Sequence, residues 1–268
     1  MQVRMKRATL AMVATTVILV GSLAHANLQV LPTRIVLSNK ARTAQVTLRH
    51  TGKTETRYRI KPIFYRMQPN GAMEEVKPGE DDRSAIDLIR YSPRQVSLKP
   101  NIEQVVRVML RLPPGLPEGE FRAHLHFEAA DELAPGEHGD GADSRMILQA
   151  RLAVAIPVIV RNGDAQVKAQ LSNLKLIKLD GEKSAYSVDL KKEGNGFVYG
   201  DFVVTFKDAK GKVRQLSLAK GVSSYIPNRT VSYPLESRPP GKGTLEVQLR
   251  APEDDGGAIL ASTTKRLD

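Results

Sequence analysis

From Asn27 onward, no stretch of the chain carries apolar residues at helical spacing. Short segments of alternating apolar and polar side chains follow one another instead, separated by clusters of Gly, Pro, Asn and Asp. Period-two alternation sends successive side chains to opposite faces, so each segment reads as a strand with one buried face. "LQVLPTRIVLS", "TAQVTLRH", "TRYRIKPIFYRM", "RQVSL", "EQVVRVMLRL", "EFRAHLHFEA" and "ILQARLAVAIPVIVR" make about seven strands up to Arg161. The turn signal "RNGD" at Arg161–Asp164 follows, and a second set of about seven strands runs from "QVKAQLSNLKLIK" to "AILASTTKRL". Seven strands in roughly a hundred residues, twice over, predict an all-β chain of two immunoglobulin-like β-sandwich domains. The division falls at 27–162 and 163–268.

Residues 1–26 have a different character. Arg4, Lys6 and Arg7 precede the apolar run Leu10–Ala24, and Ala24-His25-Ala26 closes it with a small-x-small pattern. That is the layout of a cleaved secretory signal, so the mature chain is expected to be exported, starting at Asn27 and without stable membrane insertion; the alternative is an uncleaved membrane anchor. The net charge of the whole chain is +11, of which three positive charges lie in the signal, leaving +8. In an exported protein such a surplus suits an acidic protein partner or an anionic surface better than nucleic acid. There is no cysteine, which excludes disulfides and cysteine nucleophiles.

Two neighbouring features stand out. Every second residue of the long strand gives Leu148, Ala150, Leu152, Val154 and Ile156, an apolar row longer than the roughly 5–6 residues of a usual strand. Just before it, Ala129–Ser144 is an acidic, Gly-rich loop, long enough to be functional or disordered.

Catalytic chemistry has little support. There is no nucleophile elbow, phosphate-binding loop or dinucleotide fingerprint. Asp81/Asp82 and Asp254/Asp255 sit in turn-like segments, where solvation accounts for them. His124 and His126 share one strand face, with His138 in the nearby loop, but two strand histidines are the simpler reading. A binding protein without metal or cofactor is therefore expected, not an enzyme.

"LPTRIVLS", "VSLKPNIEQVVRVML", "LPEGEFRAHLHF", "AIPVIVRNG" and "GNGFVYGDFVV" occur in that order. In order and spacing the chain resembles the periplasmic pilus chaperones of the chaperone–usher pathway, in a divergent branch. The resemblance spans nearly the whole mature chain. It implies two immunoglobulin-like domains set as a boomerang around a cleft. It also implies a strand lent to fimbrial subunits that lack their last strand, and delivery of those subunits to an outer-membrane usher. Strand donation of this kind is a form of β-augmentation. The donor row is then Leu148, Ala150, Leu152, Val154 and Ile156. Burying its four large side chains would contribute roughly 6–12 kcal/mol gross, before association costs.

The resemblance also implies two cations in the cleft that hold the subunit's terminal carboxylate. Arg34 takes the first position. Pro157 stands where the family has a lysine, and Arg94 in "SPRQVSL" is the candidate substitute. Arg161 is expected in an interdomain salt bridge with Glu120 and with Asp254 or Asp255. An unpaired apolar edge would also encourage the free protein to self-associate. The alternative reading is a secreted immunoglobulin-like adhesin or surface module, which would need no such strand.

Overall fold

A computed structural model describes residues 27–79, 82–130, 153–179 and 183–267. The signal segment, most of the acidic loop, and Leu148, Ala150 and Leu152 lie outside the described residues, as do Asp81 and His138. Within them the chain is all-β, with two single-turn 3-10 segments as the only helical structure.

Eleven strands belong to the first half, nine of them in its sandwich. They are β1 (Leu28–Leu31), β2 (Ile35–Ser38), β3 (Thr43–His50), β4 (Thr56–Ile63), β5 (Tyr65–Met67), β6 (Met73–Glu75), β7 (Ile89–Ser92), β8 (Gln95–Leu98), β9 (Glu103–Leu110), β10 (Gly119–Ala129) and β11 (Ala153–Asn162). One sheet has the order β1-β3-β9-β7 and the other β2-β11-β10-β4-β8, while β5 and β6 form a separate hairpin. The first sequence segment is thus cut in two. Pro32, Thr33 and Arg34 carry the chain from one sheet to the other, where a residue without an N–H costs no ladder bond. Between the sheets, alternate residues of each strand meet in one core that includes Leu37, Leu48, Val108, Leu125, Phe127 and Val158.

Seven strands build the second sandwich: β12 (Lys168–Lys178), β13 (Ser184–Glu193), β14 (Val198–Asp208), β15 (Val213–Ser224), β16 (Asn228–Pro234), β17 (Gly243–Arg250) and β18 (Ile259–Leu267). The sheets β12-β13-β16 and β15-β14-β17-β18 enclose a second core, around Tyr186, Phe202, Phe206 and Val247. The two cores share no residue, and the chain crosses between them at 163–167.

Strand β10 is buried on both faces. Phe121, Ala123, Leu125 and Phe127 point into the first core. Glu120, Arg122 and His124 point the other way and are buried as well, because the second sandwich covers them. Polar side chains on a buried face must find partners or remain costly. This face is where the two halves meet.

Candidate binding cleft

Glu120 joins the halves at the base of β10. Its carboxylate is 2% exposed as a residue and has three donors. Oε1 accepts from Arg161 Nε at 3.0 Å and Nη2 at 2.7 Å, and Oε2 accepts from the Phe197 amide of the second sandwich at 2.7 Å. Its own N–H donates to Asn195 O at 3.0 Å. Glu120 and Arg161 face each other across the β10–β11 ladder, which explains why the pair forms. Gly119 is also needed there: its φ is +117°, and a Cβ would come within 2.7 Å of Asn195 O.

The Arg161–Glu120 bridge is present, but its expected third member is not. Asp254 and Asp255 lie in the turn Glu253–Asp255 and form no ion pair among the described residues. Asp255 lines an adjoining cavity of about 820 Å³ with Arg34, Glu120 and Arg161 but makes no ion pair with Arg161, while the second oxygen of Glu120 reaches the other sandwich through a backbone amide. The link between the sandwiches is therefore a carboxylate–amide bond, not a charge triad.

Beside this joint lies a cleft of about 520 Å³. Arg34 and Pro157 line it from the first sandwich and Lys220 and Arg229 from the second, with Tyr65, Tyr199, Tyr225 and Tyr233 between them. No acidic residue is among the lining residues. The Arg34 guanidinium lies 3.9 Å from the centre of the Tyr199 ring, and its Nη1 is buried without a partner. Arg229 donates to Ser223 O, and its Nε has no partner. His124 adds no charge, because burial and the nearby Arg122 push its imidazole down to about 3. The hairpin β5–β6 crosses at one end: Pro69 O accepts from Thr230 N–H at 2.8 Å, and Gly71 sits so close to Arg229 that a Cβ would clash with its guanidinium.

Pro157 stands opposite His124 in the ladder and brings no cation. Arg94 does not replace one. It precedes β8, the edge strand of its sheet farthest from β2, and its guanidinium lies 5.9 Å from the Tyr91 ring centre, away from the cleft. Besides Arg34, the cations lining the cleft are Arg229, which donates to Ser223 O, and Lys220, and no local pattern selects either. The β14–β15 register shifts between Gly200/Phe202, leaving Lys220 and Gly221 as a bulge. Gly221 has φ +68°, and its N–H donates to Asp201 Oδ1 at 2.8 Å. A bulge re-aims the side chain it carries.

Strand β11 runs into this cleft with one edge partly free. Antiparallel β10 covers its inner edge from Ala153 to Asn162, whereas parallel β2 covers only Val158–Arg161 on the other. Among the described residues nothing pairs with that outer edge at Ala153–Pro157. The expected donor row needs correcting at this end. Ile156 is 3% exposed and belongs to the first core, and Val154 packs against the same core. The inward register of β11 is the apolar one, and the first sandwich itself takes up its last two members. His124 and His126 do share a face, as alternation predicts, and no group of three metal-binding side chains occurs among the described residues.

No family model matches the chain, and no curated protein matches it. Several solved structures do. A chaperone–tip adhesin complex of CFA/I fimbriae biogenesis is 12% identical, with 90% of this chain and 99% of that one covered at a TM-score of 0.45. The class 5 fimbriae chaperone CfaA is 14% identical, with 90% and 99% covered at a TM-score of 0.44. The CsuC–CsuE chaperone–tip subunit complex of Acinetobacter baumannii is 14% identical, with 78% and 90% covered at a TM-score of 0.42.

Proposed function

We propose that this chain is a periplasmic assembly chaperone for surface fibres, with 27–162 and 163–268 as its domains. It binds fimbrial subunits that lack their last strand and passes them to an outer-membrane usher. The observation that carries this reading is the free edge of β11 at Ala153–Pro157, running into a cationic cleft lined by no acid. A free edge accepts an extended chain through main-chain hydrogen bonds, and convergent cations capture a terminal carboxylate. Arg34 and Lys220 are the carboxylate's partners, Lys220 supplying the charge that Pro157 does not. Leu148, Ala150 and Leu152 are the donated side chains, while Val154 and Ile156 root the strand in its own core. Two large donors contribute roughly 3–6 kcal/mol gross, so the ladder and the anchor carry a larger share of the affinity. The role is one of binding and release, without catalysis. Export follows from residues 1–26; no helix among the described residues is long and apolar enough to cross a membrane.

Co-expression with a small fimbrial subunit encoded beside this gene tests the reading. The subunit is expected to co-purify with wild type and not with Leu152→Glu, whose melting temperature stays unchanged. Arg34→Ala and Lys220→Ala are each expected to weaken capture by roughly tenfold or more, the loss of a charge-assisted hydrogen bond. Val154→Glu instead lowers the stability of the free protein. Wild-type yield of subunit with Leu152→Glu would overturn the donor assignment, and full capture by the Arg34→Ala, Lys220→Ala double variant would overturn the anchor.

A further inference from the structure

A second cavity, of about 310 Å³, lies between the sandwiches and has no part in the reading above. Arg122 forms part of its wall. It is 4% exposed, yet it has no ion pair among the described residues. Its guanidinium is 3.9 Å from the Tyr225 ring centre and 4.9 Å from that of Phe64, it donates to Tyr65 O, and its Nε has no partner. Arg83 and Lys192 line the same cavity. Arg83 Nη1 donates to Glu118 O at 2.9 Å and Lys192 Nζ to Gly194 O at 3.0 Å. All three cations are therefore met by neutral carbonyls. The acid that lines the cavity, Asp82, is bonded to Arg66 at 2.7 Å and acts on Arg122 only through space, without an ion pair.

We infer that this cavity binds a small polyvalent oxyanion of the phosphate or sulfate type, held by Arg83 and Arg122 of one sandwich and Lys192 of the other. Aromatic faces stabilise a buried guanidinium but do not neutralise it, and a desolvated cation without a counter-charge is costly. A planar guanidinium presents paired N–H groups that match two oxygens of such an anion. Three converging positive charges favour a dianion over a single carboxylate. Burial and the Arg83 charge push the Lys192 ammonium down, and the nearby Glu120 carboxylate, already bonded to Arg161, offsets this only in part. An anion held from both sides would tie the sandwiches together beside the Glu120 joint.

The test is thermal unfolding of the mature protein in phosphate, sulfate, chloride and acetate at one ionic strength. Ten millimolar phosphate or sulfate is expected to raise the midpoint by about 3–5 °C over chloride for a dissociation constant near 1 mM. The rise is expected to vanish in Arg122→Met and in the Arg83→Ala, Lys192→Ala double variant. The double variant keeps the buried stack and so guards against misfolding of the first. Equal midpoints in all four salts, or an undiminished rise in the double variant, would overturn the site. Neither result bears on subunit capture, which depends on a different cleft.

Discussion

His124 is a histidine held neutral where histidines ordinarily titrate. It is 6% exposed, edge-on to the Tyr65 ring at 4.9 Å and near Tyr225, with Nδ1 unpartnered. Burial, reinforced by the Arg122 charge, depresses its value to about 3, against roughly 6.5 in an unfolded chain. Above pH 6.5 both states are neutral and the residue is silent. As pH falls, the unfolded state takes up a proton that the folded state refuses, so stability is lost from about pH 6.5 down towards 3. The slope is at most about 1.4 kcal/mol per pH unit. Urea unfolding at stepped pH is expected to show this decline, and His124→Phe is expected to flatten it. Burial lowers His126 as well, so a residual slope persists in the variant. The shared face of the two histidines was legible from alternation alone. Arg122, two residues back on the same face, was as legible as the pair itself, whereas Tyr65 and Tyr225, which help bury His124, come from distant segments that no local pattern reveals.

Among the elements, β10, β11 and β15 divide the legible from the illegible. Alternation in "EFRAHLHFEA" marks β10 as a strand, and Phe121, Ala123, Leu125 and Phe127 do lie in the first core. It could not show that a second sandwich covers the outward ones. In β11 the apolar row was real, but periodicity cannot tell whose core it faces, and Val154 and Ile156 face the chain's own. Arg34 came from the resemblance alone and does line the cleft, whereas Arg94 was misplaced because strand order within a sheet is not written locally. Lys220 depends on a bulge, which breaks the very alternation used to read strands. The free edge of β11 has a consequence of its own. An unpaired strand edge templates association with another chain. Light scattering on the free protein is expected to show concentration-dependent dimers, lost when subunit is bound. A strictly monomeric free protein at high concentration would mean the edge is covered from within.

At the scale of the molecule, two independent cores depend on a small joint. Gly119, Glu120, Asn195 and Phe197 meet there, and Asn195 also binds the crossing segment, its Oδ1 accepting from Gln166 N–H at 2.8 Å. Glu120→Ala leaves the Phe197 amide without its acceptor and frees Arg161, whose side chain is half exposed already. The expected cost is about 1–3 kcal/mol, most of it in the joint, since Arg161 can turn to water. Small-angle scattering is expected to report a broader spread of interdomain separations, with each sandwich still folded; an unchanged profile would deny Glu120 the role of clamp. The short strand β2 bears on the guest chain. It lies parallel to β11 and begins at Ile35, opposite Val158, with Arg34 just before it. In the proposed complex a guest strand on the free edge abuts β2 end to end. Its carboxylate at Arg34 fixes its direction as parallel to β11. In that complex β2 is then a stop block. It sets where a guest must end, and by counting back from that end it selects which guest residues fall opposite Ala153–Pro157.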